Sequence, residues 1–182
     1  MTLQNRVLPD GSINAIAMRG DFMGNRGILH TADRRLGTAR WTHPHWIICA
    51  LQFKQRHREV MRPGRYWTEL FFLDEAVALA AGHRPCAECR RAAYNAYLAA
   101  WQATTAQHPS AKMVDKALHA ARVNPRTKAQ VHHVAAMSHL PDGCFVRHQD
   151  DTWLVKGPNL HRFSPVGYDA VIARPQGEAT VI

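Results

Sequence analysis

The sequence predicts an α+β fold, with a small antiparallel sheet in its first half and a short β-rich lobe at its end. The stretch from Trp46 to Phe53 is almost continuously apolar and rich in β-branched and aromatic residues, as in a buried strand. Ala-rich helical stretches lie on both sides of Cys86-Ala87-Glu88-Cys89. From Pro141 onward, turn residues recur every few positions, which indicates short paired strands.

The other strands of the small sheet are predicted next to the apolar stretch. Arg58 to Met61 is expected to return as a second strand, and Arg62-Pro63-Gly64-Arg65 carries turn residues. Tyr66 to Phe72 is rich in aromatic residues and is expected to be a third strand. The first half of the chain is therefore predicted to be an antiparallel meander that leads into a helix.

Two helices are predicted around the paired cysteines. Asp74 is expected to cap the first helix by accepting bonds from free N–H groups of its first turn. Gly82 is expected to end that helix in a left-handed conformation. The second helix is predicted from Arg90 to about Thr104. A helix, a Cys-x-x-Cys turn and a second helix together form the predicted knuckle.

The second half of the chain is expected to begin with helices. Ser110 can cap a helix from Ala111 to Val123, and a further helix is predicted from Lys128 to about His139.

The chain is then predicted to end in strands. Cys144 to Arg147 is expected to pair with Thr152 to Val155 across a turn at Asp150-Asp151. Residues 1–106 and 107–182 are interpreted as two lobes that pack as one compact unit.

The charge balance points to nucleic acid as a partner. The 182-residue chain carries 23 Lys and Arg against 14 Asp and Glu, a formal net charge of +9. An arginine's planar guanidinium suits phosphate, so DNA or RNA is the expected partner. The expected phosphate-binding residues are six arginines near the strands and the cysteine pair: Arg58, Arg62, Arg65, Arg84, Arg90 and Arg91.

Composition bears on location. No run of about 18 apolar residues is present, so no membrane span is expected. Met1 to Asp10 lacks the apolar core of a signal peptide. Four cysteines, of which only two are close in sequence, do not resemble a disulfide framework. A cytoplasmic location is therefore the expectation.

The paired cysteines predict a zinc site. Zinc prefers four nitrogen or sulfur ligands in a tetrahedron, so Cys86 and Cys89 need two partners. Cys49, within the apolar strand, is the predicted third ligand, and Cys144 is expected to be structural. The fourth ligand is left among histidines, with His30 ranked ahead of His83, and with His45 and His57 as further candidates.

The residues around the knuckle resemble the second half of the Ada-type zinc-binding domain. The resemblance rests on Phe71-Phe72, an Ala-rich helix, and Gly82-His83-Arg84-Pro85-Cys86-Ala87-Glu88-Cys89-Arg90, about 20 residues in all. It implies structural zinc, DNA as partner and a zinc thiolate that accepts a methyl group from a phosphotriester. Members of that family have two upstream cysteines four positions apart. Here Cys49 is the upstream cysteine, and the residue four positions after it is Phe53.

This departure bears on methyl transfer. The family's methyl acceptor is the first upstream cysteine, which would correspond to Cys49. Three thiolates and a neutral histidine carry less negative charge than four thiolates, so the sulfur is a weaker nucleophile. No methyl transfer is therefore expected.

Asp115, His119 and Arg122 are the candidate catalytic residues. On a helix their spacing of four and three places them on one face, where Asp115 could orient the His119 ring and Arg122 could hold a phosphate. The leading hypothesis is a zinc-containing DNA-interacting protein in DNA repair or defence. The alternatives are a nucleic-acid hydrolase or glycosylase that uses Asp115 and His119, and a zinc-braced interaction module without catalysis.

Overall fold

The described part of the chain contains two six-stranded sheets and three α-helices. The computed structural model describes residues 2–56, 59–64 and 66–182. The α+β class is confirmed, because helices and sheets follow one another without a regular βαβ alternation.

The first sheet is mixed. Its strands are β1 (Arg6–Val7), β2 (Ile13–Asn14), β3 (Phe22–Asn25), β4 (Ile47–Ala50), β5 (Leu70–Phe72) and β6 (Arg84–Pro85). Their order is β2-β1-β5-β3-β4-β6, and the pairs β1/β5 and β4/β6 are parallel. The expected meander of consecutive strands is wrong, because β3 lies between β4 and β5 and pairs antiparallel with both.

One predicted strand of this sheet is shorter in the structure, and another does not form over its described residues. The apolar stretch that was expected to be one strand contributes β4, and the chain bends directly after Ala50. Arg58 lies outside the described residues. Val60 and Met61 form a turn, and Met61 has φ 52°, a left-handed conformation that a strand does not allow. The expected second strand is therefore wrong over these two residues.

The helices begin where local signals predict. In α1 (Glu75–Ala80) the Asp74 carboxylate accepts the Val77 N–H at 2.9 Å, and Gly82 follows with φ 83°. Two short elements, β6 and a turn with Cys86 and Cys89, separate α1 from α2 (Arg91–Thr105). Helix α3 (Ala111–Arg122) begins at Ser110, whose hydroxyl accepts the Met113 N–H at 3.3 Å.

The second sheet occupies the end of the chain. Its strands are β7 (His133–Ala136), β8 (Phe145–His148), β9 (Asp151–Lys156), β10 (Asn159–Ser164), β11 (Gly167–Ala173) and β12 (Glu178–Val181). Their order in the sheet is β11-β10-β9-β8-β12-β7. The predicted pairing across the Asp150 turn is confirmed, with Phe145 opposite Leu154 and Val146 opposite Trp153.

The helix predicted from Lys128 to His139 is wrong. This segment contains β7 and a single 3₁₀ turn, Met137–His139. Strand β7 pairs with β12, which places Val134 opposite Thr180. A pairing partner more than 40 positions away overrides the local helical preference of an Ala- and His-containing stretch.

The buried apolar side chains of the described residues form two clusters, and the first of them contains residues of both sheets. Phe145 of β8 is fully buried in the cluster that contains Ile48, Phe72 and Val77 of the first half. The Tyr168 hydroxyl also donates to the Asp74 carboxylate at 2.7 Å. The predicted lobes therefore contact each other through both apolar and polar side chains.

Candidate metal centre and the neighbouring histidine cluster

Cys49, Cys86 and Cys89 form one cluster. Their Sγ atoms all lie within 4.8 Å of one another. The parallel pairing of β4 and β6 brings them together, because it aligns Ile48 with Pro85 and lets the Cys86 N–H donate to the Ile48 carbonyl at 2.9 Å. The Cys-x-x-Cys turn supplies the third sulfur.

Backbone N–H groups point at the sulfurs. The Ala50 N–H donates to Cys89 Sγ, and the Glu88 N–H donates to Cys86 Sγ, each at 3.4 Å. Hydrogen bonds from the Cys49 thiol and from the backbone N–H groups of Cys89 and Glu88 lower the pKa of Cys86 to about 5. The hydrogen bond to Cys86 and burial raise the pKa of Cys49. Burial also raises the pKa of Cys89, so the surroundings favour the thiolate form at Cys86 and the thiol form at the other two cysteines.

This arrangement fits a thiophilic metal ion. Zinc binds thiolate at about 2.3 Å, so the sulfurs of a tetrahedral site lie about 3.8 Å apart. The separations within 4.8 Å are compatible with such a site after small side-chain shifts. Three close thiols alone do not distinguish zinc from other thiophilic metals.

Among the described residues, none of the candidate histidines His30, His45 and His83 belongs to this cluster. His30 Nδ1 lies 2.7 Å from Thr68 Oγ1 and its Nε2 lies 2.9 Å from the Arg62 carbonyl oxygen, so both ring nitrogens already have partners. His83 is buried, and its Nε2 accepts from Arg26 Nε at 3.2 Å. His30 would have to give up one of its bonds to reach a metal, whereas His83 Nδ1 has no hydrogen-bond partner among the described residues. His57 lies outside the described residues.

The arginines expected to bind phosphate divide into buried and exposed groups. Arg84 has a 7% exposed side chain and donates to both oxygens of Asp115, at 2.6 and 2.8 Å. It is therefore a buried ion-pair partner and not a surface contact for phosphate. Arg90 is also largely covered, and it binds Glu75 at 2.8 Å.

Two of the predicted arginines are available at the surface. Arg91 is exposed at the start of α2. Arg62 is exposed and lies 3.6 Å from the ring centroid of Tyr66. Arg58 and Arg65 lie outside the described residues.

The Asp115 carboxylate orients a histidine ring, but that histidine is His45 and not His119. His45 Nδ1 lies 2.7 Å from Asp115 Oδ2, across 70 positions of sequence. Among the described residues, the Asp115 carboxylate has Arg84 and His45 as hydrogen-bond partners, so the expected Asp115–His119 pair is wrong. His119 Nδ1 lies 3.3 Å from Arg122 Nη2 instead.

Arg122 is buried and stabilises the packing of α3 against two other segments of the chain. It donates to the carbonyl oxygens of Gly82 and Pro44, the latter at 2.7 Å, and it covers the Trp46 ring at 3.8 Å. Burial lowers its pKa to about 10. These contacts hold Arg122 in the protein interior beside Trp46, so it is not available for the phosphate-binding role expected from the sequence.

His45 and His119 line a common cavity. It measures about 440 Å³ and also includes Lys112 and Lys116 of α3. The His45 side chain is 52% exposed, whereas Asp115 behind it is 2% exposed. Burial and the nearby Arg122 lower the pKa of His119. His45 was missed as a catalytic candidate because no local spacing links it to Asp115.

Comparisons with known proteins give no relative. No family model matches the chain, and no curated protein or solved structure matches it significantly. The Ada-type resemblance thus rests on the residues that carry it. Within the described residues, none of the helices combines the length and apolar character needed to cross a bilayer.

Proposed function

We propose that the chain holds one zinc ion through Cys49, Cys86 and Cys89, and that the surface around this metal site binds nucleic acid. The observation that carries the metal site is the approach of three thiols within 4.8 Å. Zinc bound there would stabilise the turn by joining β4 to the start of α2, since metal binding free energy adds to folding free energy. The Ada-type resemblance supports the same assignment.

The proposed nucleic-acid contacts surround this turn. Lys54 and Arg56 lie beside it and contact Glu88 at 3.6 and 2.8 Å, while Arg91 follows it directly. Because Glu88 offsets two of these cations, Arg91 is the better phosphate ligand beside the turn, and Arg62 is the other exposed arginine among the predicted phosphate ligands that the structure describes. No ion pair joins either of them to a carboxylate in residues 2–56, 59–64 and 66–182.

An exposed aromatic side chain accompanies Arg62. The 45% exposed ring of Tyr66 lies beneath Arg62, so a base or sugar could pack against it while Arg62 holds a phosphate. The experiment is a fluorescence-anisotropy titration of the full chain with labelled single-stranded and duplex DNA at several salt concentrations. Binding should weaken as salt rises, because each phosphate neutralised releases counterions. Absence of binding at low salt would refute the nucleic-acid part of the proposal and leave the metal site standing.

A second candidate function is phosphodiester hydrolysis at the His45–Asp115 pair. Asp115 accepts from Nδ1 and so leaves Nε2 of the exposed His45 free to take a proton. In this reaction His45 removes a proton from water, the water oxygen bonds to phosphorus, and the bond to the leaving oxygen breaks with a proton from solvent. Lys112 and Lys116 of the same cavity would stabilise the charge on phosphate.

A matched pair of variants tests this second function. His45→Gln should abolish any nicking of labelled DNA or RNA, whereas His119→Gln, in the same cavity but without the Asp115 partner, should retain part of it. Equal loss in both variants would contradict the role of the His45–Asp115 pair. No activity in the parent chain would remove this function while leaving nucleic-acid binding unaffected.

A further inference from the structure

A second cavity lies away from the cysteines, between the β1–β2 turn and the residues that follow α3. It measures about 490 Å³, a size typical of small-molecule sites. Its lining includes two tryptophans, Trp41 and Trp46, and three cations, Arg26, Arg40 and Lys128. Aromatic rings interleaved with cations are the groups that recognise a flat base joined to a phosphate.

Arg26 gives this cavity its electrostatic character. It is 2% exposed and donates to the Gly11 carbonyl oxygen, the Ala81 carbonyl oxygen and His83 Nε2, at 2.9, 3.3 and 3.2 Å. All three acceptors are neutral. Burial together with the nearby Arg122 lowers the pKa of Arg26 to about 9, although the negative charge of Asp10 acts in the opposite direction. A buried cation bonded to neutral acceptors is unfavourable unless an anion is nearby.

One carboxylate also lines the cavity but is partly engaged elsewhere. Asp10 accepts from the Ser12 hydroxyl at 2.6 Å and lies 3.6 Å from Arg147. With three lining cations against this one carboxylate, the cavity keeps an excess of positive charge. It therefore favours an anionic ligand.

Trp41 supplies the aromatic surface. Lys128 Nζ lies 5.2 Å from its ring centroid, so a cation and an aromatic face adjoin at one end of the cavity. The Trp41 ring also contacts the His119 ring edge-on, with 5.4 Å between the ring centroids. Since His119 lines the cavity that contains His45, the two cavities are neighbours. A base packed on Trp41 would leave its phosphate within the reach of a lysine side chain.

We propose that this cavity binds a single nucleotide, with its base against Trp41 and its phosphate held by Lys128, Arg40 and Arg26. Hydroxyl and amide groups of Ser12, Thr127 and Gln130, which also line the cavity, supply partners for the base edge. The site is separate from the surface around the cysteines. The nucleotide site extends the proposed function, since an unstacked nucleotide of a bound DNA or RNA strand could enter the cavity. Binding of a free nucleotide there does not depend on binding of a strand.

The test is calorimetric titration of the full chain with three probes: each 2′-deoxynucleoside 5′-monophosphate, the matching nucleosides, and inorganic phosphate. At least one nucleotide should bind ten times or more tightly than its nucleoside and than phosphate. A nucleoside that binds as tightly would show that the cations are not used. Phosphate that binds as tightly would show that Trp41 is not used, and either result, or no binding, overturns the proposal.

Variants locate the binding. Lys128→Gln and Trp41→Leu should each weaken the nucleotide about tenfold. Lys156→Gln, an exposed lysine of β9 in the other sheet, should bind like the parent and serves as the matched control. If Trp41→Leu fails to fold, Lys128→Gln alone decides, because Lys128 is exposed. Equal affinity of Lys128→Gln and Lys156→Gln would overturn the assignment, even if the chain still binds DNA.

Discussion

Asp115 and His45 are joined by a 2.7 Å contact between Oδ2 and Nδ1, although 70 positions separate them in sequence. The same carboxylate accepts two bonds from Arg84, which stands two residues before Cys86. Asp115 therefore ties α3 both to the segment that precedes β4 and to the strand that leads into the cysteine turn.

Removal of this carboxylate should be strongly destabilising. Asp115→Asn leaves the buried guanidinium of Arg84 without its counter-charge, which costs about 3–5 kcal/mol of unfolding free energy. Urea denaturation of the zinc-saturated protein measures the change. The matched variant His45→Gln should cost less than about 1 kcal/mol, because the His45 side chain is half exposed. A larger loss for His45→Gln would show that the Arg84 pair is not the main contact.

Stability should fall as the pH drops below 6.5. Burial, together with Arg26 and Arg122, lowers the pKa of His83 well below its ordinary value of 6.5. Below that pH the unfolded chain binds a proton that the folded chain excludes, so the folded state loses about 1.4 kcal/mol at one pH unit below 6.5.

His83→Gln identifies the source of this pH dependence. The variant should lose less stability than the parent between pH 6.5 and 5.5, with zinc saturating in both samples so that metal loss does not contribute. Denaturant midpoints at each pH provide the comparison. Parallel curves for the two proteins would mean that another group causes the dependence.

Local signals in the sequence predicted the helix boundaries. Asp74, Gly82 and Ser110 act on their immediate neighbours, and each does so in the structure. The hairpin across Asp150 is equally local. Such features require only a few adjacent residues, so they can be inferred without knowledge of the fold.

Long-range pairings could not be inferred in this way. The stretch that became β7 depends on β12, and the His45–Asp115 contact depends on where α3 packs. Cys49 was predicted as a ligand from its chemistry and its position in an apolar strand, whereas its proximity to Cys86 follows from the parallel β4/β6 pair. Burial of Arg84 likewise depends on Asp115, which lies 31 positions away.

Charge reversal at the exposed arginines should weaken nucleic-acid binding. Arg62→Glu and Arg91→Glu should each lower the magnitude of the log–log salt slope by about 0.9 on duplex DNA if one phosphate contact is lost. Affinity should fall alike for unrelated sequences, since phosphate contacts carry no base information. Lys156→Glu in the other sheet is the control, and an equal effect there would indicate a general charge effect without a defined surface.

Cys49 should not accept a methyl group. It is the most buried of the three thiols, at 8% exposure, and a bulky phosphotriester could reach it only if β4 moved. Incubation with methylphosphotriester DNA followed by peptide mass spectrometry should show no methylated cysteine. A methyl group mapped to Cys49 would contradict this prediction and would support the repair activity implied by the Ada-type resemblance.

The central claim is tested most directly by the metal content of the purified chain, measured by mass spectrometry of the native protein. The account predicts one zinc ion per chain in the parent and in Cys144→Ser, a matched control because Cys144 lies outside the cluster. Cys49→Ser, Cys86→Ser and Cys89→Ser should each lose the metal and lower the melting temperature. A parent chain that stays metal-free after incubation with zinc and melts at the same temperature with and without it would contradict the account.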